Sequence, residues 1–229
     1  MRTTDLEIDI EVGSDIDLGW ISSTRVSLLY DGTLIGEAEL KGSYIIPDEF
    51  NMIKLELDDI EIRNMIGFKA FIRRVIPHPR DGSQLEGKTP VALLKTVENG
   101  HTLAMVINLD RMGVAEALHP PVRRNHDKIQ ITFFVRNPTN VFIYFEETRF
   151  NLQKDGRILA TLEGEFFIRN CGEDDEYVLT GDIDPNIELF GTAVLKGVGL
   201  DVKANTWCIH AIREFELEID LDEIIHGEL

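Results

Sequence analysis

The chain has 229 residues, 43% of them hydrophobic, which is enough to bury a core in one large domain or two small ones. Its formal charge of -18, from 41 acidic against 23 basic residues, makes a nucleic-acid backbone or an anionic lipid surface a poor general partner, because both would be repelled. Two cysteines, Cys171 and Cys208, are too few for a disulfide framework and have no zinc-ligand spacing.

Met1 to Asp5 is polar and leads straight into LEIDIEV, without the basic, apolar and small-residue order of a secretory leader. No apolar run approaches the roughly 20 residues that cross a bilayer, so the expectation is a cytoplasmic protein without a transmembrane segment. Leu6, Ile8, Ile10 and Val12 alternate with Glu7, Asp9 and Glu11, the period of a half-buried strand. Gly13-Ser14-Asp15 interrupts it. A second strand leads from Trp20 through Val26 and Leu28 to Asp31-Gly32, a strong hairpin signal, and Leu34 to Leu40 returns from that turn. Ile53 to Ile62 reads as a further strand and Gly67 to Ile76 as another, followed by a turn-rich excursion from His78 to Ser83. Thr89-Pro90 before VALLKTVENG supplies a capping hydroxyl, a proline at the first helical position and Leu93, Leu94 and Val97 at helical spacing, so a short helix is predicted, closed by Gly100. Thr102 to Leu109 is a strand, and Met112 to Leu118 suits one or two helical turns. Pro120-Pro121 and the run Arg123-Arg124-Asn125-His126 then suggest a basic linker over 121–128, dividing the chain into domains 1–120 and 129–229.

In the second half, Ile129, Ile131, Phe133 and Val135 fall on one side of a strand, with Gln130, Thr132 and Arg136 on the other; only Phe134 breaks the alternation. Pro138 cannot donate to a ladder and biases Asn137 away from helix, which ends that strand. Phe142, Tyr144, Phe145 and Phe150 populate the next, as core aromatics rather than a binding groove. Asp155-Gly156 turns the chain into a third. Further strands follow in EFFIRN and EYVLTG, then a segment from Ile187 to Lys203 bent at Gly191, Gly197 and Gly199, and last EFELEIDL, whose acidic row opposes edge-to-edge association.

The halves repeat one another. Thr24, Arg25, Leu28, Asp31, Gly32 and Glu39 match Thr148, Arg149, Leu152, Asp155, Gly156 and Glu163 at a constant spacing (148 − 24 and 155 − 31, both 124). Six identities in a window of 16 positions compare with about one expected from average residue usage. Upstream the spacing is 123, pairing Ile8 with Ile131 and Val12 with Val135. Two similar β domains are therefore expected.

VRNPTNVFIYFEETRFNLQKDGRILATLEG resembles the late-embryogenesis-abundant group two family, also called the water-stress and hypersensitive-response domain. The likeness lies in a strand ending at Asn137-Pro138, an aromatic-rich second strand, and the hairpin at Asp155-Gly156 into a strand carrying the short Ala160. It is good over Ile129 to Gly164 and looser to Leu221. The predicted helix at VALLKTVENG is also similar to a family segment, whereas Gly13-Ser14-Asp15 stands where Asn-Pro would be expected in the first half. The resemblance implies two tandem immunoglobulin-like antiparallel β-sandwiches, a desiccation or stress-response role, and no catalytic residues. Many relatives carry an N-terminal membrane anchor that this sequence does not show.

Few residues suggest chemistry. Asp182, Asp184, Asn186 and Glu188 place oxygen-bearing side chains at alternate positions, as a hard cation would need, but Pro185 intervenes and a calcium loop's glycine and distal glutamate are missing. Cys171, Cys208 and His210 are the only source of a thiol nucleophile with a base, and His78, His101, His119, His126 and His226 are scattered without metal spacing. There is no phosphate loop, no nucleophile elbow and no interleaving of basic and aromatic residues, so the expectation is a non-enzyme with no cofactor and no nucleic-acid partner. Three functions fit: protection of macromolecules through a hydrated acidic surface, binding of a lipid or other hydrophobic ligand in a groove lined or covered by Pro77 to Leu118, and recognition of one protein partner through an edge strand.

Overall fold

A computed structural model describes residues 6–11, 20–44, 52–57, 60–77, 90–98, 101–108, 116–118, 121–137, 141–169, 174–199 and 207–226. The fold is mainly β. Its elements in chain order are β1 (Leu6–Glu11), β2 (Trp20–Tyr30), β3 (Thr33–Tyr44), β4 (Met52–Leu57), β5 (Glu61–Ile62), α1 (Met65–Val75), β6 (Pro90–Glu98), β7 (His101–Asn108) and β8 (Glu116–Leu118). The chain continues with β9 (Val122–Asn125), β10 (Lys128–Arg136), β11 (Val141–Lys154), β12 (Arg157–Ile168), β13 (Asp174–Ile183), β14 (Thr192–Gly199), α2 (Trp207–Ile212), β15 (Glu216–Asp220) and β16 (Ile224–His226). One sheet has the order β5-β3-β2-β6-β7. The other follows the path β15-β14-β11-β12-β13-β10-β9-β16, with β1 joined to β11, β4 to β1, and β8 to β10.

The repeat seen in the sequence reappears as hydrogen-bond register. In the β2–β3 hairpin Thr24 faces Leu40, Arg25 faces Glu39 and Leu28 faces Gly36; in β11–β12 Thr148 faces Gly164, Arg149 faces Glu163 and Leu152 faces Ala160. Both ladders then shift by one residue, leaving Ile35 and Leu159 as the bulged positions on the strand that returns from each turn. Asp31 and Gly32 have φ of 52 and 69, Asp155 and Gly156 of 50 and 76, so both turns need two successive positive φ values, the type I′ geometry that suits strand twist. The equivalence extends outward. Leu28 faces Ala92 across β6 as Leu152 faces Leu195 across β14, and Gly36 faces Ile62 as Ala160 faces Ile183. Upstream, Ile8 faces Leu55 as Ile131 faces Leu179.

The larger sheet curls. Phe133 on β10 and Phe215 just before β15 belong to strands five steps apart, roughly 24 Å on a flat sheet, yet their rings lie 5.8 Å apart. Phe166 on β12 fills the space enclosed, with ring centroids of Phe145, Phe150, Tyr177 and Phe215 at 5.5, 5.6, 5.0 and 5.3 Å. The alternation expected of β10 holds: Ile129, Ile131, Phe133 and Val135 are buried, and Phe134, the exception, is half-buried on the other face. Of the aromatic set assigned to the core, Phe145 and Phe150 are buried, whereas Tyr144 is half-exposed beside Phe167.

Four segments differ from expectation. Residues 90–98 are strand β6, not a helix: it pairs with β2 over Pro90–Lys95 on one side and with β7 over Val91–Glu98 on the other, and the apolar run that suits a helix face suits a central strand equally. The short helix of the first half is instead α1, over residues read as a strand. Asn64 caps it, accepting a 3.0 Å hydrogen bond from Gly67 N, and Phe68, Phe71 and Ile72 make its buried face. The predicted linker contains β9, paired to β10 through Val122–Asn125, so the basic run is sheet. Glu116–Leu118 is strand β8 rather than helical turn, pairing Leu118 with Phe134. Some contacts join residues of 1–120 to residues of 129–229. β1 pairs with β11 through Leu6 and Ile143, and α1 meets α2 through the T-shaped contact of Phe68 and Trp207 at 6.3 Å.

Candidate functional site

Alternation leaves the outer face of β10, β13, β12 and β11 mostly polar, apart from Phe134, Val178 and Phe167, and register lines its side chains into rows. One row runs Lys128, Asp182, Thr161, Asn151; the next runs Gln130, Thr180, Glu163, Arg149. Lys128 pairs with Asp182, Thr161 Oγ1 donates to Asn151 Oδ1 at 3.0 Å, and Arg149 Nε donates to Glu163 Oε1 at 2.8 Å. The hydrogen bond and charge of Asp182 hold the Lys128 ammonium above its ordinary pKa. Glycines let these strands approach: a Cβ on Gly181 would lie 2.0 Å from the Thr161 carbonyl oxygen. Beside them runs an open groove of about 470 Å³, with Ile158 and Leu159 at one end and Thr161, Glu163, Thr180 and Asp182 along it. The face can therefore hold water and hydroxylated solutes; its charges are already matched across strands.

The acidic alternation at 182–188 is organised internally. Asp184 accepts hydrogen bonds from Asn186 N at 2.9 Å and Asn186 Nδ2 at 3.0 Å, and these bonds lower its pKa. Asp182 is turned to Lys128, and Glu188 is exposed. Arg124 supplies the cation: its guanidinium donates to the carbonyls of Ile187 and Pro185 at 2.8 Å and of Asp184 at 3.2 Å. The linker reading of the basic run concealed this role, which only a strand assignment for 122–125 brings within reach. Among the described residues, no three His, Cys, Asp or Glu side chains gather as a metal would require.

Asn137 is buried just beyond β10, while Pro138 lies outside the described residues. Asp155 and Gly156 form the β11–β12 turn. Cys208 is fully buried on α2, two residues from His210, and Cys171 lies outside the described residues. His101 is on β7, His126 is in the β9–β10 turn and His226 ends β16; His78 and His119 lie outside.

A second cluster was not visible in the sequence. Glu214, 5% exposed, sits between Lys69 Nζ and Arg73 Nε, each 2.7 Å from one carboxylate oxygen. Burial opposes ionisation of this carboxyl, but hydrogen bonds from Lys69 and Arg73 outweigh it and lower the pKa. Nearby His210 has a lowered pKa, from burial first and then from the charges of Arg213 and Lys69. The i, i+4 spacing of Lys69 and Arg73 would have been the signal had 65–75 been read as a helix.

No protein-family model, no curated protein and no solved structure matches this chain. Among the described residues no helix is long and apolar enough to cross a membrane.

Proposed function

We propose that the chain comprises two tandem immunoglobulin-like β-sandwich units of the late-embryogenesis-abundant group two kind and acts in the cytoplasm, without catalysis, to protect macromolecules during water loss. The resemblance of residues 129–164 to that family supports the stress-response assignment, and the shared hairpin register supports two units. The observation that carries the protective role is the outer face of β10 to β13, whose rows of hydroxyl, amide and paired ionic groups present a closely spaced hydrogen-bonding surface in a chain of charge -18. Such a surface retains water and opposes association as solvent is withdrawn. A hydrophobic-ligand role has less support, because aromatic rings occupy the curled sheet's interior and the open groove is flanked by threonines and carboxylates.

The test is to dry a desiccation-sensitive enzyme with the purified protein, or with an equal mass of an unrelated, equally acidic domain. Higher recovered activity with this protein is the expected result; equal recovery overturns the reading. Native mass spectrometry of protein taken from cells checks the alternative, since a co-purifying lipid would favour ligand binding.

A further inference from the structure

We propose that the seam between α1 and α2 is a docking surface for an acidic peptide segment of another protein, one that carries an apolar side chain beside its carboxylates. Among the described residues, Lys69 and Arg73 meet there on one carboxylate, Glu214, and Arg213, whose Nε donates to the Val198 carbonyl at 3.1 Å, adds its charge to that of Lys69 beside His210, in a chain whose total charge is -18. Other cations are held differently. Arg63 bridges Glu37 and Glu61, Arg149 pairs with Glu163, and Lys196 with Glu216. Glu214 is buried, whereas the side chains of Lys69 and Arg73 are 40% and 49% exposed and Arg213 is exposed, so the surplus positive charge faces outward.

The apolar part lies on the same helix. Ile66 is 84% exposed, the most exposed large hydrophobic residue described. Spacing of three and seven residues aligns Ile66, Lys69 and Arg73 in one stripe, about 10 Å long at the helical rise. An apolar tip leading into a row of cations complements a segment that mixes apolar and acidic residues. Charge selects the class of partner. A membrane or a nucleic acid would present extended negative charge to the whole molecule and be repelled by it, and a second copy would set -18 against -18. A short peptide engages the seam alone, because at physiological salt the remaining charge is screened beyond about 8 Å. Burial first, and then the charges of Arg213 and Lys69, disfavour the His210 imidazolium beside the seam.

The experiment measures fluorescence polarisation of a labelled ten-residue peptide alternating Glu and Leu, with Gln/Leu and Lys/Leu peptides alongside. Ile66→Asp and Arg213→Glu alter exposed positions and leave the contacts of Glu214 with Lys69 and Arg73 in place. Arg213→Glu removes only the exposed hydrogen bond to the Val198 carbonyl, so circular dichroism should match the unaltered protein and the melting temperature should fall little; Ile66→Asp, which removes no hydrogen bond, is the control for that loss. The expected result is binding of the Glu/Leu peptide alone, weakened at least ~10-fold (about 1.4 kcal/mol) by either substitution and weakened again at roughly 0.5 M salt. Equal affinity in both variants, equal binding of the Gln/Leu peptide, or no binding overturns the proposal. So does tighter binding to phosphatidylserine vesicles than to the peptide, or a dimer that Ile66→Asp abolishes, either of which assigns the seam to a different occupant.

Discussion

Replacing Phe166 by alanine tests the curled sheet at its centre. The ring is fully buried and meets five others, Phe133, Phe145, Phe150, Tyr177 and Phe215, at centroid distances of 6.2, 5.5, 5.6, 5.0 and 5.3 Å. Truncating a buried phenylalanine costs about 3–5 kcal/mol, from lost transfer energy and the cavity left behind. Here the aromatic contacts come from four other segments that cannot collapse together without breaking ladders, so about 4–5 kcal/mol is expected, toward the upper end. At about 2–4 °C per kcal/mol for a chain of this size, that lowers the melting temperature by roughly 8–20 °C. The control is the adjacent residue. Phe167 lies on the opposite face of β12, half-buried against Tyr144, Arg169 and, at 5.4 Å between ring centroids, Tyr177, and Phe167→Ala should cost less, about 1–2 kcal/mol. Urea unfolding followed by circular dichroism measures both. Because a one-residue slip of β12 would exchange the two faces, equal losses, or a larger loss for Phe167→Ala, would refute both the register and the enclosed core.

Three further outcomes follow from particular residues. Glu214→Gln removes the charge held between Lys69 and Arg73 and should cost about 1–2 kcal/mol, reduced by the exposure of both cations. Because the folded-state pKa lies below the ordinary 4.5, this contribution is complete above that pH and disappears as pH falls through the lower folded value; unfolding titrations of the two proteins should differ at pH 6–8 and converge in acid. Gly156→Ala and Gly32→Ala meet no atom within 4 Å but place a Cβ at φ of +76 and +69, so each should lose about 1–2 kcal/mol by calorimetry from backbone strain alone. Cys208, fully buried, should resist alkylation in native buffer and react in urea, read site by site by peptide mass spectrometry; rapid native labelling would contradict its placement on the buried face of α2.

Much of the fold could be read locally. Asp31-Gly32 and Asp155-Gly156 specify the same turn wherever they occur, because the two positive φ values they allow are what a tight hairpin demands. The alternation through Ile129 to Val135 specifies which face is buried. Residues 65–75 and 90–98 were exchanged in kind for a reason common to both: a short apolar run satisfies helical and extended spacing about equally. Asn64 capping Gly67 and the paired edges of β2 and β7 decide between them. Residues Arg123 to Asn125 carry no strand pattern at all, and become one because β10 presents an open edge beside them. The candidate sites divide in the same way. The polar rows of β10 and β13 are present in the alternation, but their matching into Lys128 with Asp182 depends on partners 54 residues apart.

What the amino-acid order determined by itself is therefore the periodic part: turns, strand faces, the repeat of one hairpin in both halves, and an acidic exterior. These depend on backbone preferences and on apolar spacing over a few residues. Tertiary structure alone decided that the larger sheet curls until Phe133 meets Phe215, that β1 joins β11, and that Lys69 and Arg73 enclose Glu214. Those contacts link residues far apart in the chain, and they form only where burying the aromatic rings outweighs the entropy of bringing distant segments together.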